Sequence, residues 1–207
     1  MNEPSREARQ EEYPSLAFHP YNILLLLSIV GLTALFLSLS AAFVYNRIQN
    51  NLPPIRLPNI FILNTLILLG SSATMWRAKK AYLADDTKAY QRALLATIIL
   101  SLTFMGAQYL GWSQLFSQNV FINSNNSASY LYIISGLHFL HVVAGLPFLG
   151  LFLWKAYKHM KEPVSVLVYF SDPEKRLRLR LLTVYWHFLD ALWIYLALFF
   201  WINYLVQ

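Results

Sequence analysis

The sequence predicts an all-α polytopic membrane protein: a bundle of five transmembrane helices with the N-terminus inside and the C-terminus outside. Three observations carry that expectation. The 207 residues are 57% hydrophobic and only 13% charged, against about 25% charged in soluble domains. Five apolar runs each approach the roughly 20 residues that cross a hydrocarbon core as a helix. Basic residues are confined to alternate connections between those runs. The chain has no cysteine, which excludes disulfides, thiolate-ligated zinc, iron–sulfur clusters and thiol nucleophiles. Its net charge of +6 reads as loop bias at a membrane, and no nucleic-acid partner is expected.

Residues 1–20 form a polar tail in which Arg6 and Arg9 stand among Glu3, Glu7, Glu11 and Glu12. It lacks the basic, apolar, small-residue order of a cleaved signal and is expected to stay as a cytoplasmic surface segment. Residues 21–207 form the transmembrane domain. The first run, 21–46, carries Gly31, Ala34, Ser38 and Ala42, a small-residue face that predicts close helix contact. The second, 59–76, places Asn64, Ser71 and Ser72 on one stripe, and the third, 93–116, does the same with Thr97, Ser101 and Gln108. These are expected to be helix-packing polar groups. The fourth run, 128–154, contains Pro147, which removes one backbone hydrogen bond. The fifth is 181–205. Asn50-Asn51-Leu52-Pro53-Pro54, Ala84-Asp85-Asp86 and Asn123-Ser124-Asn125-Asn126 punctuate the runs, and 155–180 reads as the only long polar connection.

Counting Lys and Arg sets the orientation. The tail, the second–third connection (Arg77, Lys79, Lys80, Lys88, Arg92) and the fourth–fifth connection (Lys155, Lys158, Lys161, Lys175, Arg176, Arg178, Arg180) hold fourteen. The opposite face holds only Arg47 and Arg56. Such a bias puts the basic face inside. Each basic residue close to an anionic surface contributes about 1 kcal/mol. Lys175, Arg176, Arg178 and Arg180, with Arg77, Lys79 and Lys80, are therefore candidate contacts for phospholipid headgroups. The plainer reading is topogenic charge with no specific lipid.

Ionisable side chains inside the runs are His138 and His141 on the fourth and His187 and Asp190 on the fifth. Each pair is spaced i, i+3 and shares a helical face. Three readings compete: a buried polar network in which imidazoles and carboxylate satisfy one another and lock the two helices; a proton or ion pathway; and haem or metal ligation. Depth argues against ligation, because a rise of 1.5 Å per residue separates His141 from His187 by roughly 9 Å. Asp190 lies nearer the level of His141. No P-loop, zinc-protease signature or nucleophile elbow is present. Neither catalytic residues nor a metal site are expected in this chain.

Three segments are familiar. Ser135-Gly136-Leu137-His138-Phe139-Leu140-His141-Val142-Val143-Ala144-Gly145 resembles the G-x-H-x-x-H-x-x-x-G segment of subunit 3 of haem–copper oxidases. Tyr185-Trp186-His187-Phe188-Leu189-Asp190-Ala191-Leu192-Trp193 resembles that family's W-H-F-x-D-x-x-W segment, and Asn64-Thr65-Leu66-Ile67-Leu68 with Ser71-Ser72 resembles its N-T-x-x-L…S-S helix. Their order and spacing agree over about 59–207. The resemblance implies a five-helix subunit 3, lacking the two N-terminal helices of the seven-helix form. It further implies an accessory, non-redox subunit of a proton-pumping terminal oxidase, in the first place cytochrome c oxidase, in aerobic electron transport.

In that family the haems and copper sit in partner subunits. Subunit 3 packs on catalytic subunit 1, binds phospholipid, and supports proton uptake and resistance to turnover-linked inactivation. Other oxidase subunits, and a larger respiratory supercomplex, are the further partners implied, and a bacterial plasma membrane is the location. One departure stands out: Ile29 falls where family members carry an acid, and the first run has no carboxylate. Alternatives are a quinol oxidase subunit 3, a nitric-oxide-reductase-associated relative, a stand-alone transporter relaying protons through His138, His141 and Asp190, or a cytochrome b-like carrier.

Overall fold

The computed structural model describes residues 19–52, 57–160 and 163–206, and among them it contains helices and no strand. The helices are α1 (Pro20–Gln49), α2 (Ile60–Leu83), α3 (Thr87–Ser117), α4 (Asn126–His159), a short α5 (Pro163–Ser171) and α6 (Pro173–Leu205). All but α5 are long and apolar enough to cross a membrane. At 24 to 34 residues they outlast a hydrocarbon core of about 30 Å. Helix α2 runs on past Trp76 through Arg77, Lys79 and Lys80, and α6 begins eight residues before Leu181.

Local chemistry sets those ends. Asp86 Oδ1 accepts from Ala89 N (2.9 Å) and Asn125 Oδ1 from Ala128 N (2.8 Å), each satisfying an orphan donor of a first helical turn. Asp172 accepts from the amides of Glu174 and Lys175, with Pro173 behind it as first helical residue. At the other ends, Asn51, Asp85 and Asn119 hold positive φ just beyond α1, α2 and α3. Asn and Asp tolerate that left-handed turn better than other non-glycine residues.

The connection at 155–180 departs from the sequence expectation. It is not an open polar loop: α4 continues to His159, α5 follows, and only Asp172 separates α5 from α6. Tyr169 and Phe170 are buried. They pack on Tyr82 and Tyr90, with the Phe170 ring 4.9 Å from Tyr82 and Tyr82 Oη donating to Tyr169 O at 3.1 Å. The charges flanking this stretch obscured its apolar middle.

Helices α2 and α3 form the most extensively packed hairpin, and α6 packs more on α2 than on α4. Helix α1 attaches through only three buried residues, Phe36, Ser40 and Phe43. Here too the expectation is corrected. Gly31, Ala34 and Ser38 are exposed, and a Cβ on Gly31 would meet nothing within 4 Å. The docking is aromatic, with Phe43 edge-on to Tyr130, Phe199 and Phe200 at 5.5–6.2 Å. Bulky rings hold the backbones apart, so the small residues look outward.

Cross-links identify which helix ends lie together. At one end Arg180 donates to Asn22 Oδ1 (2.9 Å) and Gln91 Nε2 to Ala156 O (3.1 Å). At the other, Arg47 donates to Asn203 O and to Val206 O, and Asn46 Nδ2 to Tyr130 Oη. Helices α1 and α6 therefore run parallel, as an odd number of crossings requires. Eleven of the described Lys and Arg residues gather at the first end and Arg47 at the second. The tail through residue 18, with Arg6 and Arg9, and also Arg56 and Lys161, lie outside the described residues.

Candidate functional site

Interior polar groups stand on α2, α3, α4 and α6. Asn64, Ser71, Thr97, Ser101, Gln108, Ser135 and His138 are wholly buried, and Thr183 and Asp190 nearly so. Of the five serines and threonines named, all but Ser71 satisfy themselves one turn back. Ser101, Ser135 and Thr183 donate to the carbonyls of Thr97, Leu131 and Leu179 at 2.7–2.8 Å. Of these three, Ser135 also bonds to a neighbouring helix.

Asn64 Nδ2 donates to Gln108 Oε1 at 2.8 Å and Thr74 Oγ1 lies 2.9 Å from Thr97 Oγ1, joining α2 to α3. Trp112 Nε1 donates to Ser135 Oγ at 3.1 Å, joining α3 to α4. The α2–α6 seam carries two more. Trp186 Nε1 donates to Ser71 Oγ at 3.0 Å, and Ser72 Oγ is hydrogen-bonded to His187 Nδ1 at 2.7 Å. The Asp190 carboxyl faces the same hydroxyl.

Of the four ionisable residues, the structure thus brings His187 and Asp190 to Ser72, with the hydrogen bond made to His187. It does not join His138 or His141 to them. His138 lies between the Phe104 ring (5.9 Å) and the Trp193 ring (5.1 Å), and neither of its nitrogens has a partner among the described residues. His141 Nδ1 bonds Leu137 O on its own helix at 2.7 Å, with the Phe36 ring 6.2 Å away. The α4–α6 link is instead Tyr185 Oη donating to His141 O at 3.2 Å. Among the described residues, no three His, Asp or Glu side chains converge.

The remaining motif residues have packing duties. A Cβ on Gly145 would lie 2.8 Å from Trp186 Cζ3 and 3.2 Å from Tyr185 Cε1, so only glycine lets α6 seat its aromatics at that level. Pro147 lies inside α4, as expected. Sequence reasoning missed Tyr185, Trp186 and Trp193 as interior anchors. Their signal was present: Trp186, Asp190 and Trp193 fall at i, i+4 and i+7, one face of a helix.

The lipid candidates divide. Lys175 Nζ pairs with Asp172 (3.0 Å) and sits over the Tyr169 ring (4.5 Å). Arg178 pairs with Glu174 and covers Tyr21, and Arg180 bonds Asn22. The Lys175 ammonium holds the Asp172 carboxyl below its ordinary pKa, with the helix-start amides adding to the effect. Lys79 lies on the His187 side of α2, whereas Arg77 and Lys80, three apart, face the α2–α3 crease.

Comparison with known proteins agrees with this geometry. The profile of the family described as cytochrome c oxidase subunit III matches residues 25–204. Cytochrome c oxidase subunit 3 of Yarrowia lipolytica is 27% identical over 192 residues, covering 87% of this chain and 67% of that protein. The Synechocystis sp. protein of the same name is 28% identical, covering 82% of this chain and 70% of its own. That of Papio hamadryas is 29% identical over 72% of this chain and 52% of its own length. With five helices fit to cross a membrane and a match running from the first turns of α1 to the end of α6, the chain is an integral membrane protein belonging to the cytochrome c oxidase subunit III family.

Proposed function

We propose that this chain is the accessory, non-redox subunit 3 of a haem–copper terminal oxidase, most simply a cytochrome c oxidase, in aerobic electron transport. The carrying observation is the family match across residues 25–204. The interior supports it, because hydrogen bonds such as Asn64–Gln108, Trp112–Ser135 and Trp186–Ser71 fasten helices to one another. The haems and copper belong to partner subunits, and the chain's own contributions are packing on catalytic subunit 1 and other oxidase subunits, within a larger respiratory assembly, and binding phospholipid. Its support of proton uptake and turnover stability works without a carboxylate in α1, since Ile29 occupies that place. The basic end faces inward, in a bacterial plasma membrane.

Affinity purification of the tagged full chain from native membranes tests this. A haem-bearing partner should co-purify in stoichiometric amount, with the visible spectrum of that partner. A chain that runs alone and transports a solute in vesicles would sink the reading in favour of the transporter alternative. The oxidation activity of the purified assembly toward cytochrome c and toward quinol separates the cytochrome c oxidase from the quinol oxidase form.

A further inference from the structure

Among the basic groups at the inner end, Lys175, Arg178 and Arg180 of α6 are already engaged within the protein. Arg77, Lys80 and Arg92 are not: none of the three makes a hydrogen bond or ion pair among the described residues. All three are exposed and line one groove of about 520 Å³ between the end of α2 and the start of α3. The Lys80 ammonium is poised over the Trp76 ring at 5.4 Å. Trp76, half exposed at the last position of the apolar run, marks the level at which aromatic side chains meet headgroups.

The groove exists because its floor is alanine. Ala81, Ala89, Ala93 and Ala96 leave the crease between the helices open, and toward the bilayer it continues to Thr74. The one acid on its rim, Asp86, is committed through Oδ1 to the Ala89 amide at 2.9 Å as the cap of α3. Three cations against one carboxylate leave the rim at a net charge of +2. A cationic rim at headgroup level, above a shallow apolar trough aimed into the bilayer, matches one molecule in both its halves.

We propose that this α2–α3 groove is a specific site for an anionic phospholipid. Its phosphate lies among Arg77, Lys80 and Arg92, and one acyl chain lies along Ala93 and Ala96. The inference narrows the lipid-binding part of the proposed function to one place, and it predicts that the α6 basic cluster is not that place. It rests on the reading of the chain as a membrane subunit but not on the identity of the catalytic partner.

The test is native mass spectrometry of the full chain, purified with whatever partner accompanies it, after equilibration in nanodiscs of phosphatidylglycerol, phosphatidylethanolamine or phosphatidylcholine. One phosphatidylglycerol should be retained in preference to the other two lipids. Arg77→Gln with Arg92→Gln should weaken retention about tenfold or more, from the contribution of each basic residue at an anionic surface. Ala93→Leu with Ala96→Leu, which fills the trough and changes no charge, should weaken it as well. Lys155→Gln with Lys158→Gln, at the same end of the bundle, should leave it unchanged.

Equal retention of phosphatidylcholine, or equal loss in the Lys155/Lys158 control, would overturn the proposal in favour of general surface charge. Retention untouched by both groove variants would also overturn it. Displacement of the lipid by millimolar inorganic phosphate would replace the lipid site with a free-anion site. Co-purification of the haem partner is read in the same preparation, so failure of the groove and failure of the oxidase assignment are distinguishable.

Discussion

At the scale of the residue, two glycines of one motif make opposite predictions. Gly145→Ala puts a methyl 2.8 Å from Trp186 Cζ3. Trp186 is 1% exposed and tethered to Ser71, so it cannot yield cheaply. Overpacking of this kind costs about 1–3 kcal/mol, and the thermal midpoint of the purified chain should fall. Gly136→Ala meets nothing within 4 Å and should be neutral or slightly stabilising, since alanine is the better helix former. Ser72 gives a second contrast. Interhelical hydrogen bonds in membranes average about 0.6 kcal/mol, so Ser72→Ala, which loses the bond to His187, should cost about that. His141→Leu, which loses only a bond to its own helix, should cost less. A larger effect at His141 than at Ser72 in the same melting assay would refute the seam described above. Asp172 offers a pH-dependent case. Its carboxyl is held below its ordinary value, chiefly by Lys175, so the stability it lends is present above an unfolded pKa of about 3.9 and lost as acid protonates it below that. Asp172→Ala should cost about 1 kcal/mol at neutral pH, as lost caps do, and the variant should approach the parent in stability as pH falls below about 4.

At the scale of the element, what was legible depended on whether one signal dominated. The five spans were, because length and hydropathy act together over about 20 residues and little else in the chain competes. Helix ends were legible where a capping side chain broke the run, as at Asp86 and Asn125, and were missed where helix continued into charged sequence, as at Arg77–Lys80 and Pro173–Arg180. A backbone that leaves the hydrocarbon has no reason to unwind when water-facing side chains such as Lys80 and Arg178 follow. The polar stripes of α2 and α3 were also readable, since Asn64, Ser71, Thr97, Ser101 and Gln108 all became interior. Their partners across helices were not, because helix periodicity reports a face and not its neighbour. The ring contacts that put His138 beside Trp193 need tertiary register. Helix α5 shows the same limit. Its apolar centre is short and flanked by charge, yet Phe170 is 7% exposed against Tyr82 and Tyr90. Phe170→Ala should release that cap. Core aromatic truncations cost about 3–5 kcal/mol, and the expected readout is faster limited proteolysis within 160–172 with the spanning helices still protected. Proteolysis unchanged from the parent would mean that α5 is held by something other than this aromatic cluster.

At the scale of the whole molecule, the decisive asymmetry is electrostatic. The helix-end cross-links place eleven described basic residues at one end of the bundle and Arg47 at the other. Arg47 is moreover folded onto the carbonyls of Asn203 and Val206, where its charge caps the end of α6 and complements the negative end of that helix. An excess of Lys and Arg in short connections holds those connections on the cytoplasmic side. The α2–α3 turn at Asp85 and the α5 region are therefore expected inside, and the ends of α1, α3 and α6 outside. A periplasm-active reporter joined after Gln207 should be active and one inserted at Asp85 silent, with a cytoplasm-active reporter giving the inverse pattern. Because α1 and α6 are parallel, the two positions cannot both report the same side unless a helix fails to cross, so equal activity at both would refute five crossings. A clean inversion would keep the bundle and reverse its orientation, moving the Arg77–Lys80–Arg92 groove to the outer leaflet.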